Sequence, residues 1–351
     1  MWPMVQKEVR ELRRDKRTVA MLVGLPLILL VVFGYAANFD VTEIPTAVYG
    51  QGADQVTGQL PDLFVVDTID PGGDTATAEQ ALVDGRANVG IVTGDQTTAL
   101  VDGSSLFTAQ TAAAALAQAP GSIDVEILFN PDLQTSWVMV PALIGLIMAF
   151  IGTIVTSLGL VRERQAGTIE QLAVMPFRPS DVIVGKIAPY FGLAYLDMVV
   201  VTVLGAVLFG VPFQGSVMLF GIGAAVFLLA VLGLGVLIST VSQNQGQAVQ
   251  AAMFVMLPQI LLSGMIFPLE SMPWGVRWIG YLLPLTYFVD LSGGIMLRGA
   301  GLPALWIPFV VLAVMAVLIL GAAILRFRRE LAPDTTRSNH KAEDADGIAV
   351  A

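Results

Sequence analysis

The residues of this chain that invite a chemical reading are few and unevenly placed. The run Arg162-Glu163-Arg164-Gln165-Ala166-Gly167-Thr168-Ile169-Glu170-Gln171-Leu172 interleaves both charge signs beside a helix-breaking glycine. Such a segment can dock on a charged partner and turn that partner's motion into displacement of the adjoining helix; a solvated loop that merely carries charge is the plainer alternative. Asp197 is the one acidic residue inside an apolar run, ~15 Å along a helix from the nearest polar boundary. A carboxylate at that depth marks a pathway, a proton relay or a partner buried between helices. Gln259 follows Pro258, so its amide can satisfy the carbonyl that proline frees and fix a kink there, or else contact cargo. Cysteine is absent and His340 is the sole histidine, so neither a disulfide nor a zinc centre is expected. The phosphate-cradling pattern G-x-x-x-x-G-K-[ST] is also missing, since Gly185-Lys186 is followed by Ile187 and lacks the earlier glycine. No catalytic residue is assigned, and the chain is not expected to hydrolyse ATP by itself.

The elements that must position these residues are set by a composition of 55% hydrophobic and 13% charged residues, which rules out an ordinary cytosolic protein. Apolar runs bounded by charge give six spans: Thr18–Ala37, Trp137–Val161, Ile187–Val211, Gly215–Val241, Ala248–Phe267 and Pro303–Leu325. An even count puts both ends on one side. Fifteen of the eighteen basic residues fall in the first seventeen residues, in 162–186 or in the tail from Arg326, and only Arg86, Arg277 and Arg298 on the other face. The bias of basic residues toward the cytoplasm therefore places both termini inside. The basic arm, short apolar core and Tyr35-Ala36-Ala37 faintly resemble a cleavable signal peptide, but its removal would put a basic segment outside. Within residues 1–17, Trp2, Val5, Val9 and Leu12 fall at helical spacing among Lys and Arg, as in an interfacial helix or simply a topology-setting flank.

Net charge is −10, yet residues 38–136 hold fourteen Asp/Glu against Arg86 alone, a balance of −13, so the remainder is +3. An acidic unit set into a mildly basic membrane protein does not suit nucleic acid, whose phosphates need Lys and Arg. Strand-like runs at Thr46–Tyr49, Leu63–Ile69, Ala87–Thr93 and Ile123–Phe129 alternate with helix-like Thr75–Asp84 and Ser104–Gln118, which predicts a mixed α/β domain facing outward. The stretch 268–302 is different. Its apolar pieces Val276–Leu283 and Leu285–Leu297 are each too short to cross, and Trp274, Trp278, Tyr281 and Tyr287 suit a pair of short helices dipping into the outer leaflet.

The Arg162–Leu172 run, with Met175-Pro176 and Gly185-Lys186 after it, resembles the inner-loop signature of the ABC-2 type transporter permeases, with Gln165 where a second Glu is usual. A second set is similar to the same permeases: Ser242, Gln247-Ala248 and Gln250, then Leu262-Ser263-Gly264, Phe267-Pro268, Pro284-Leu285-Thr286-Tyr287 and Leu297-Arg298-Gly299. Gly293 stands where family members often carry an arginine. The α/β insertion, including Val101-Asp102-Gly103-Ser104, resembles the subgroup with a large extracellular domain between the first two transmembrane helices. The resemblance implies a membrane all-α architecture, a six-helix transmembrane bundle with an inserted extracellular α/β domain. It also implies a separate ABC ATP-binding subunit that holds ATP and Mg and touches Arg162, Glu163, Arg164, Gly167, Thr168 and Glu170. A second permease subunit, most simply an identical one, would complete the pathway. The cofactor expectation for this chain itself is none.

Drug and lipid exporters of this family suggest an amphipathic or hydrophobic cargo, as do spans that hold Asp197 as their only acidic group. A membrane-anchored receptor is the rival reading, for which six spans and a charged inner loop are excessive. A secondary transporter needs more intramembrane ionisable groups than this sequence offers.

Overall fold

The computed structural model describes Gln6, Val41 and residues 43–94, 96–119, 123–167 and 179–331. The expected first span at 18–37, the interfacial arm apart from Gln6, Thr168, Glu170 and the tail from 332 lie outside the described residues.

Residues 44–128 build a five-stranded sheet with helices on both faces. In chain order the elements are β1 (Ile44–Tyr49), α1 (Ala53–Thr57), β2 (Phe64–Asp70), α2 (Thr75–Val83), β3 (Val89–Val92), β4 (Thr97–Asp102), α3 (Leu106–Leu116) and β5 (Ile123–Leu128). The spatial order is β2-β1-β3-β4-β5, all pairs parallel except the β3–β4 hairpin. Strand alternation sorts the side chains by face. Ile44, Val48, Val89, Ile91 and Val101 pack with Ala109, Ala112 and Leu116 of α3, while Ala47, Tyr49 and Leu100 pack with Ala78, Ala81 and Leu82 of α2. Asp74 starts α2 by accepting the Thr77 amide at 2.9 Å, and that bond holds its carboxyl below the usual range. Strand β4 escaped the sequence reading, which saw in this region only the Val101–Ser104 motif.

The rest is helical: α4 (Thr135–Gln165), α5 (Pro179–Phe209), α6 (Val217–Val241), α7 (Gln245–Leu262), a 3-10 turn at Leu269–Ser271, α8 (Trp274–Gly280), α9 (Pro284–Met296) and α10 (Leu302–Leu331). Among the described residues four helices are long and apolar enough to cross a membrane: α4, Ile183–Phe209 of α5, α6 and Leu302–Arg328 of α10. The bent pair α8–α9, turned by 76°, makes a fifth when taken as one span. Helix α6 is central, packed on α4, α5, α9 and α10. Its Phe227 stacks on Phe288 of α9 with ring centroids 4.4 Å apart, in a core shared with Ile144, Met148, Met256 and Leu312.

Two sequence expectations change. The fifth span, expected at Ala248–Phe267, is instead a helix from Gln245 to Leu262, because Asn244 caps it and starts it three residues earlier, and the chain turns at Ser263-Gly264. At ~27 Å it is near spanning length, but Gln247, Gln250, Pro258 and Gln259 dilute its apolar character. The charged run after the second span opens inside a helix, since Arg162–Gln165 form the last turn of α4. Asp102 of the sheet unit and Ser271 of the 3-10 turn are both buried.

Candidate functional site

The charged end of α4 meets the turn between α6 and α7. Helix α4 stops because Gly167, with φ +73°, adopts the left-handed conformation that ends helices at low cost only for glycine. The amides of Ala166 and Gly167 bond back to the carbonyls of Arg162 and Arg164. One turn before that stop, Arg164 Nη1 donates to the carbonyls of Ser239 (2.8 Å) and Ser242 (2.9 Å) at the C-terminus of α6. A guanidinium there both satisfies orphan carbonyls and opposes the negative end of the helix dipole. Gln245 Nε2 donates to Gln165 Oε1 at 3.0 Å, so α7 joins the same cluster. Asn244 caps α7 through the Gln247 amide at 2.9 Å, and Gln247 Oε1 in return accepts the Gln243 amide at 3.0 Å. The Arg162–Leu172 run and the Ser242–Gln250 turn, separate in sequence, are thus one structural site. Glu163 pairs with Lys186 of α5, which ties a third helix in. Beneath it Leu160, Ile183, Leu232, Val236 and Phe327 form an apolar floor.

These roles divide the expected coupling residues. Arg164 and Glu163 are engaged within the chain, and Gly167 shapes the backbone. Arg162 is exposed, and its side chain makes no hydrogen bond or ion pair with another described residue. Thr168 and Glu170 are outside the described residues.

The other two candidates sit apart from this site. Asp197, midway along α5, is half-buried beside the buried Met198 and has no hydrogen-bond partner among the described residues. It therefore forms no hydrogen-bonded link between two described helices. Gln259 is fully buried, but its Nε2 contacts the Met256 sulfur at 3.8 Å, and no backbone carbonyl freed by Pro258 receives it.

At the opposite end of the bundle lies a cluster that sequence reasoning passed over. Arg298, just past α9, forms ion pairs with Asp102 at the end of β4 (3.7 Å) and Asp290 of α9 (3.3 Å). A cavity of about 450 Å³ opens beside it, between the sheet unit and the α7–α9 region, lined by residues such as Glu43, Phe107, Met139, Leu269, Tyr287 and Arg298. The available signal was that Asp102 and Arg298 each belong to a short motif set off by glycine. Among the described residues no group of His, Cys, Asp and Glu is arranged to hold a metal.

The model of the ABC-2 family transporter protein matches residues 16–325. The chain belongs to the ABC-2 transporter family. It is similar to two Escherichia coli K12 proteins named probable multidrug ABC transporter permeases. These are YbhR (30% identity, covering 94% of this chain and 99% of the relative) and YbhS (29%, covering 93% and 96%). An inner membrane transport permease of the same organism, YhhJ, is 36% identical over 60% of this chain and 56% of its own length. This ABC-2 protein is a membrane permease subunit of an ABC transporter, a family that works with an ABC ATP-binding subunit.

Proposed function

We propose that this ABC-2 permease moves an amphipathic or hydrophobic compound outward, driven by a separate ATP-binding subunit that docks on the Arg162–Glu170 segment. The carrying observation is that Glu163, Arg164 and Gln165 tie the end of α4 to α5, α6 and α7 respectively, while Arg162 is left exposed. A push on this corner reaches four helices at once. ATP and Mg belong to the partner, and this chain contributes no hydrolytic group. The proposed arrangement has six spans, with 18–37 as the first and α7 as the fifth, both termini in the cytoplasm, and the sheet unit outside the inner membrane. The multidrug names of the relatives support the cargo class. Asp197 remains a candidate lining residue, and Gln259 a packing one.

A second copy of the chain completes the pathway in this reading. The α4 face carrying Leu143, Ile147, Ile151 and Val155, at i/i+4 spacing and 38–43% exposed, supports such a contact. Because the chain lacks cysteine, Ile147→Cys should cross-link two copies cleanly, and failure of every cysteine along this stripe to cross-link would remove the contact.

The decisive experiment reverses Arg162 and Glu170 to the opposite charge and follows copurification of the ATP-binding subunit and hydrolysis by the complex. Loss of either, with membrane insertion intact, supports docking; wild-type behaviour in both variants returns the segment to a solvated flank. Stimulation of hydrolysis by lipids or hydrophobic drugs supports the cargo class, whereas stimulation by a hydrophilic sugar polymer alone overturns it.

A further inference from the structure

The two motifs that the docking site leaves unused, Val101-Asp102-Gly103-Ser104 and Leu297-Arg298-Gly299, meet in space. We infer that the Asp102–Arg298 pair is a joint that makes the sheet unit and the end of α9 move as one body and so sets the opening of the cavity between them.

Both sides of the joint are anchored. On the helical side, the Ala300 amide bonds to the Gly294 carbonyl (2.9 Å), and Gln214 and Gly215 of the α5–α6 connection donate to Met296 and Ile295 (3.0 Å each). The segment carrying Arg298 is therefore bound to the bundle through backbone. On the sheet side, the Ser104 amide donates to Asp102 Oδ1 at 2.8 Å, which fixes the carboxylate. Buried Asn130, where β5 passes into α4, donates from Nδ2 to the carbonyls of Gly103 (3.3 Å) and Gln134 (3.1 Å) and accepts the Gln134 amide (2.8 Å). The turn at 102–104 thus receives one attachment from the covalent corner and another from Arg298. A unit held by its corner alone can swivel; the second attachment removes that freedom.

The pair is also chemically committed. The Asp102 side chain has no exposed surface and that of Arg298 has 13%. Asp102 Oδ2 and Arg298 Nε have no hydrogen-bond partner among the described residues, so the charges rest on each other and on Asp290. A buried charge that loses its partner is strongly unfavourable, which keeps the joint closed. Steric fit makes the same point. A Cβ built on Gly85, at the end of α2 with φ +68°, would lie 3.0 Å from Arg298 Nη1, and one on Gly294 would lie 3.1 Å from Nη2. The guanidinium is held between a sheet-unit glycine and an α9 glycine, and Gly85, Gly294 and Arg298 all line the cavity.

The test uses the full chain in detergent, with spin labels on cysteines at exposed Glu79 of α2 and exposed Leu282 between α8 and α9. Wild-type protein should give one narrow distance distribution. The paired variant Asp102→Asn with Arg298→Gln, which removes both charges and keeps hydrogen-bonding capacity, should broaden it at least twofold while helix content is retained. Arg298→Lys should restore most of the narrowness, a rescue that a packing role for the guanidinium plane would not give. An unchanged width in the paired variant overturns the joint, and so does a broad or two-peaked distribution in wild-type protein itself. Neither outcome bears on ATP-subunit docking.

Discussion

At one end of the bundle Arg164 bonds the backbone of α6; at the other, Arg298 pairs with a buried carboxylate of the sheet unit. The first arginine meets neutral carbonyls at a partly exposed helix end, where water can replace it. The second meets the carboxylate of Asp102, whose side chain has no exposed surface. The difference teaches that the two ends tolerate motion differently. Around Arg164 the helices can shift by exchanging carbonyl contacts one at a time, as a docking corner requires. Around Arg298 the charges must separate together or not at all.

The comparison is broken most severely by Arg298→Leu, which strands the Asp102 carboxylate and should lower stability by about 3–5 kcal/mol, read as a fall in thermal midpoint in detergent. Titration sharpens it. Burial raises the Asp102 carboxyl above its usual value despite the neighbouring Arg298. Its stabilising contribution is thus complete below the unfolded value of about 3.9 and is lost as pH rises through the folded value. The stability of wild-type protein relative to the Asp102→Asn, Arg298→Gln variant should therefore decline as pH rises from about 4, and a flat difference would refute the burial argument. Arg164→Ala comes next, at about 2 kcal/mol for lost hydrogen bonds from a charged donor, with hydrolysis by the complex uncoupled from transport. Equal losses at Arg164 and Arg298 would erase the contrast. Gly167→Ala meets no atom of another described residue within 4 Å, so its cost is backbone strain, about 1 kcal/mol. Arg162→Ala should leave the thermal midpoint unchanged and weaken only retention of the ATP-binding subunit.

Much of the architecture was legible along the chain, where it depends on neighbours in sequence. The short apolar pieces Val276–Leu283 and Leu285–Leu297 overlap the helices Trp274–Gly280 and Pro284–Met296, the second of which runs unbroken through Gly293-Gly294. Four of the five strands followed from β-branched runs between turn residues. Strand β4 did not, because Thr97-Thr98-Ala99 carries little intrinsic signal and gains its strand form by pairing with β3 and β5 on either side. Helix α4 runs four residues beyond the apolar run Trp137–Val161, because carbonyls at the end of α6 receive Arg164 and let a charged last turn form.

By itself the sequence determined that this is a membrane protein with an acidic α/β unit, that Gly167 breaks the helix before it, and that the interleaved charges of Arg162–Glu170 resemble an ABC-2 inner loop. Each is a property of composition, local periodicity or a single residue's backbone freedom. Only the tertiary structure decided what each arginine meets: Ser239 and Ser242, 75 and 78 residues from Arg164, and Asp102 for Arg298. A guanidinium can bond to any carbonyl or carboxylate in reach, so its partner is chosen by how distant helices and strands pack, and no local pattern encodes that choice.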